Sequence, residues 1–101
     1  MADRLTLHSK FEELLESDHV YYMPPENTKM EYDAIRYSKK NIASRFADNT
    51  AYSMMDCYEV IVIARKPDHP VIKKLLALPY ARHDRHYVTN NLNHDILTIY
   101  Y

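Results

Sequence analysis

The chain has 101 residues, 47% hydrophobic and 27% charged, with thirteen Lys and Arg against fourteen Asp and Glu for a formal net charge of -1. That length holds one domain, here 1-101, and the composition is that of globular rather than disordered chains. The charge balance excludes a broad basic field for nucleic acid or an anionic membrane, the single cysteine excludes an internal disulfide, and no apolar run approaches the ~20 residues that cross a bilayer, so a cytosolic chain without a membrane partner is expected.

The first element is an amphipathic helix over residues 4 to 16, with Leu7, Phe11, Leu14 and Leu15 on one face and Glu12, Glu13 and Glu16 elsewhere, closed by Ser17-Asp18. His19 to Met23, rich in Val and Tyr, reads as a short strand stopped by Pro24-Pro25. Glu31 to Ser38 follows as a strand, with Tyr32, Ala34 and Arg36 facing one way and Asp33, Ile35 and Tyr37 the other. Ile42 to Phe46 is a further short strand, and Ala47-Asp48-Asn49-Thr50 a turn. Tyr52 to Lys66 is the central strand: Tyr58, Val60, Val62 and Ala64 alternate with Ile61 and Ile63, so both its faces are expected to be covered.

Pro67 ends that strand, and Asp68-His69-Pro70 opens a second helix in which Val71, Ile72, Leu75, Leu76 and Leu78 face the sheet and Lys73-Lys74 face solvent; Pro79 closes it. Tyr80 to Thr89 and Leu92 to Tyr101 are two strands joined through Asn90-Asn91. The predicted order is α-β-β-β-β-α-β-β, an α+β fold with a single antiparallel or mixed sheet flanked by two helices. Glycine is absent, so left-handed turns fall to Asn27, Asn49, Asn90 and Asn91. Ten Tyr against two Phe and no Trp favour surfaces that are half buried and half wet, as in a protein with interfaces.

The chemistry-bearing residues do not assemble into a familiar site. His83, His86 and His94, with Asp84, Asp95 and Cys57 nearby, suggest a small metal-binding enzyme, but residues 83 and 86 of a regular strand point to opposite faces, and only a bulge brings them together. Zinc-ligand spacing is missing, and a ββα metal nuclease requires a helix after the hairpin. Cys57 reads as a buried, inert thiol. Without glycine there is no phosphate-cradling loop, and the basic residues form no continuous stripe. No cofactor, no metal and no catalytic residues are expected, and the residues alone indicate a domain that binds protein. Outward Tyr rings in Tyr21-Tyr22 and Tyr100-Tyr101 are contact candidates.

The wording of the chain goes further. The blocks RLTLHSKFEELL, VYYMPPENTKMEYDAIRY, FADNTAYSMMDCYEVIVIARKPD and LPYARHDRHYVTNNLNHDILTIYY together resemble the tail terminator or head-tail joining proteins of the tailed-bacteriophage neck. The resemblance spans nearly the whole chain and is most specific in DRHYVTNNLNHDILTIYY and the upstream FADN. One departure is visible, Tyr32-Asp33 where the family pattern has Tyr-Pro. The resemblance implies a virion protein, made in the host cytoplasm, that forms a homohexameric ring on the tail tube protein, stops tube elongation and docks onto the head connector or stopper protein. DNA would pass through its lumen without specific binding.

In that role the expected contacts are Arg45, Phe46 and Asp48 in the loop Ser38 to Tyr52, then Arg82, Asp84 and Arg85 as ion-pairing groups across a subunit boundary, and the terminal Tyr101. Both tracts have plainer alternatives, a hairpin tip and a solvated hairpin. A head-completion or connector protein of the same neck is the alternative assignment, and the His83, His86 and His94 metal enzyme is the alternative of another class.

Overall fold

Cys57–Ala64 forms β3, the middle strand of a five-stranded sheet, in a computed structural model that describes residues 4–24, 28–40 and 56–101. The other elements are α1 (Arg4–Leu15), β1 (Val20–Tyr22), β2 (Ala34–Lys39), α2 (Pro70–Leu76), β4 (Ala81–Thr89) and β5 (Leu92–Tyr100). The sheet order is β1-β2-β3-β5-β4. Only β1 and β2 pair in parallel, while every other neighbouring pair is antiparallel. The fold is therefore α+β with one mixed sheet, and two helices among the described residues. The predicted strand Ile42 to Phe46 lies outside those residues, as do the turn candidates Asn27 and Asn49.

The core follows from the strand alternation. Ile35 and Tyr37 of β2, Tyr58, Val60 and Val62 of β3, and Leu97 and Ile99 of β5 lie on one face and join one buried cluster with Leu7, Phe11 and Leu15 of α1 and Val71 and Leu75 of α2. Each such side chain contributes about 1.5 to 3 kcal/mol on burial. Tyr37 is the hub: its ring meets Phe11 edge-on at 5.0 Å and Tyr58 at 5.9 Å, and its hydroxyl lies 2.7 Å from His8 Nδ1. Leu76, expected to face the sheet, is instead 38% exposed, because the helix turns it past the edge that Val71 and Leu75 bury. On the opposite sheet face Ile63 is buried and Ile61 half-buried, and no helix of the described residues packs there.

The element ends show how a chain without glycine turns. Glu16 (φ 60) closes α1, and the Ser17 N–H bonds the Glu12 carbonyl at 3.2 Å, a Schellman closure one residue earlier than predicted. Positive φ also falls at Met23, Asp68, Asn90 and Asn91. Asn90 and Asn91 are as expected, whereas Glu16 and Met23 carry no sequence signal for it. At α2, His69 is the N-cap: its Nδ1 accepts from the Val71 N–H at 3.1 Å, and Pro70 occupies the first turn. β2 starts at Ala34 rather than Glu31, after a cis Tyr32-Asp33 peptide, and the Asp33 carboxylate accepts from the Arg65 N–H at 2.9 Å.

Candidate subunit interface

The β4–β5 hairpin turns through Asn90 (φ 52) and Asn91 (φ 60), the two consecutive left-handed residues that a tight hairpin needs. Its register runs from Thr89↔Leu92 to Arg85↔Ile96 and resumes at His83↔Leu97, so Asp84 has no opposite residue and forms a bulge. β4 is an edge strand, exposed from Arg82 to Thr89, with Val88 59% exposed. Its partner β5 is buried from Asp95 to Ile99.

The bulge overturns one sequence expectation. His83 and His86 do not point to opposite faces; the unpaired residue inverts the alternation and puts both on the helix side, opposite Leu97 and Asp95. His83 Nε2 donates to the Asp95 carboxylate at 2.9 Å, and His86 Nε2 to the Asn93 side-chain oxygen at 3.1 Å. With His69, Ile72, Lys73 and Leu76 from the α2 side they line an open groove of about 980 Å³. His94 pairs with Tyr87 on the other face, where the two rings stack at 4.8 Å, so the predicted trio does not converge. Cys57 is buried at the far end of that second face, opposite Tyr100, and burial pushes its thiol pKa up. Among the described residues no group of three or more His, Cys, Asp and Glu side chains is placed to hold a metal ion.

The face away from the helices holds the polar centre of the hairpin. Arg82 Nε donates to Asp84 at 2.8 Å, Thr98 Oγ1 donates to the other Asp84 oxygen at 2.5 Å, and Lys40 Nζ donates to Thr98 Oγ1 at 3.1 Å. Burial alone would raise the Asp84 pKa, but the bonds from Thr98 and Arg82 and the charges of Arg82 and Lys40 outweigh it, and the net direction is down. Sequence reasoning missed Thr98 and Lys40, because their meeting depends on β2, β3, β5 and β4 lying in that order across the sheet.

The expected interface residues thus divide. Arg45, Phe46 and Asp48 lie outside the described residues. Arg82 and Asp84 pair with each other within the chain, and Arg85 is exposed beside them, its guanidinium 5.7 Å from the Tyr87 ring centre. Tyr101 is half-buried against the core, and its backbone exchanges hydrogen bonds with Asp56 at 2.9 and 3.2 Å. Tyr22 packs on Tyr37 at 4.9 Å under the Arg4 guanidinium, and the Tyr21 hydroxyl accepts from the Glu31 N–H at 3.0 Å. Among the described residues no helix is long and apolar enough to cross a membrane. Comparison with models of protein families, with curated proteins and with solved structures finds no match.

Proposed function

We propose that the chain is a structural protein of a tailed-bacteriophage neck, a tail terminator that closes as a homohexameric ring on the end of the tail tube, halts addition of tube subunits and presents a new face to the head connector. The observation that carries this reading is a coincidence of position. The most specific words of the resemblance, DRHYVTNNLNHDILTIYY, fall on the β4–β5 hairpin, and its outer strand is exposed from Arg82 to Thr89. A small domain that leaves a strand of nine residues on its edge gains stability when a neighbour covers it. The work of such a protein is contact and geometry, without a catalytic step, and the near-neutral net charge of -1 suits a lumen that passes DNA without holding it.

The test is the mass of the purified chain by native mass spectrometry across a range of concentrations, with metal content measured on the same sample and rings imaged by negative stain. A metal-free closed ring of about six copies that stops polymerisation of tail tube protein is the expected result. A single-chain mass at every concentration overturns the reading. A ring that binds isolated heads but leaves tube growth unaffected replaces it with the connector assignment, and a metal-loaded monomer returns attention to His83 and His86.

A further inference from the structure

β1 and β4 are the two ends of the sheet, and they differ in charge. β4 presents Arg82, His83, Arg85 and His86, while its one carboxylate, Asp84, is already held by Arg82 and Thr98. β1 is flanked by Asp18 and Glu31, whose side chains are 90% and 77% exposed on either side of His19, the Glu31 carboxylate 3.0 Å from His19 Nε2, with Lys29 and Arg65 lining the same pocket. Strand direction matters as much. β1 runs parallel to β2, and three antiparallel steps through β3 and β5 to β4 leave β4 running opposite to β1. A second copy rotated about an axis along the strands therefore brings its β1 to the first copy's β4 in antiparallel sense, the more stable ladder per residue.

We infer that copies of this chain join by sheet continuation, the basic β4 edge of one copy pairing with the acid-flanked β1 edge of the next. This deepens the ring proposed above and rests on it. Charge and bulge on an edge strand are common devices against unwanted pairing. Here they act selectively. Two β4 strands side by side would bring Arg82 and Arg85 against their own kind, which is unfavourable across a ladder, whereas on the β1 edge Glu31, bonded to the Tyr21 hydroxyl, lies level with Arg85 and meets it with opposite charge. The two patches are different surfaces of one subunit, the condition for a head-to-tail contact that can close as a ring.

The experiment is a charge exchange on two exposed side chains. Arg85→Glu makes both edges acidic and Glu31→Lys makes both edges basic, so each variant alone should need at least about tenfold more chain for half-assembly than wild type, about 1.4 kcal/mol or more per contact. A one-to-one mixture of the two should recover wild-type assembly, because the variants can alternate around the ring. Amide exchange supplies the independent readout. Next to the two-residue turn the Thr89↔Leu92 and Tyr87↔His94 pairs are hydrogen bonded and His86↔Asp95 is not, so the His86 N–H, level with Val20 across the sheet, points away from β5 and should slow at least tenfold on assembly. Wild-type rings with either variant assembling normally, with no recovery in the mixture, or with His86 exchange unchanged overturn sheet continuation and leave the ring standing. Assembly that obeys the exchange but yields open filaments overturns the ring and keeps the edge contact. A wild-type chain that stays single overturns both.

Discussion

Tyr37 and Tyr58 are phenols placed inside an apolar cluster, and their acidity records it. Burial drives the Tyr58 pKa up to about 12, reinforced by Asp56 and the neighbouring tyrosines, and burial likewise raises Tyr37 against the opposing pull of Arg4. A group whose folded pKa is raised contributes stability that is complete below its unfolded value near 10 and lost as pH rises through the folded value. Thermal stability should therefore fall between about pH 10 and pH 12, by about 3 kcal/mol for Tyr58, and Tyr58→Phe should flatten that limb in a pH series of melts. Asp84 works with the opposite sign. Its lowered pKa means stability present above the ordinary value of 3.8 and lost as pH falls through the folded one. Thr98→Val removes the hydroxyl that joins Lys40 to Asp84 in a nearly closed site. It should cost about 1 to 2 kcal/mol by urea titration and weaken the acid dependence.

At the scale of elements, the hairpin is the feature in which local and non-local causes separate most clearly. Asn90-Asn91 is legible in the sequence because a two-residue turn of this hand demands two residues tolerant of positive φ, and Asn is the tolerant residue left when glycine is absent. Asn91→Gly should leave stability unchanged or raise it by a few tenths of a kcal/mol, while Asn91→Ala should cost about 1 kcal/mol, read as a shift in the melting midpoint. The Asp84 bulge is not legible in the same way. Alternation of Arg82, His83, Asp84, Arg85 and His86 carries no mark of where a residue drops out of register; that is set by Ile99 and Leu97 below the bulge and Asp95 above it, each held in place by β3. Deleting Asp84 leaves His83↔Leu97 and Arg85↔Ile96 as consecutive pairs of a regular ladder with every face kept, so the expected outcome is a modest drop in melting temperature, equivalent to about 1 to 3 kcal/mol, from losing the Asp84 bonds to Arg82 and Thr98.

At the scale of the molecule, the helices of the described residues cover one face of the sheet, so a few side chains carry much of the stability. Phe11 is fully buried between α1 and the Tyr37 ring. Phe11→Ala should cost about 3 to 5 kcal/mol, against a total of about 5 to 15 for a domain, and leave the chain largely unfolded by circular dichroism at 37 °C. The exposed β4 edge adds a second expectation that follows from the proposed ring. Stability gained from neighbours obeys mass action, so the melting temperature should rise with chain concentration, and Arg85→Glu should remove that dependence without lowering the dilute-limit value.

What the sequence by itself determined is what depends on residues near one another along the chain. The apolar spacing of Leu7, Phe11 and Leu15, the two-faced run from Tyr58 to Ala64, the His69-Pro70 helix start and the Asn90-Asn91 turn all act through local backbone geometry, and the α+β class with its element order follows from them. Only the tertiary structure decided that β1 lies parallel to β2, that β5 separates β3 from β4, that His83 and His86 share a face and His94 does not, and that Lys40, Thr98 and Asp84 meet. Those outcomes depend on which strands pair and in what register, and pairing energy is spread over contacts between distant segments that no single stretch of the chain records.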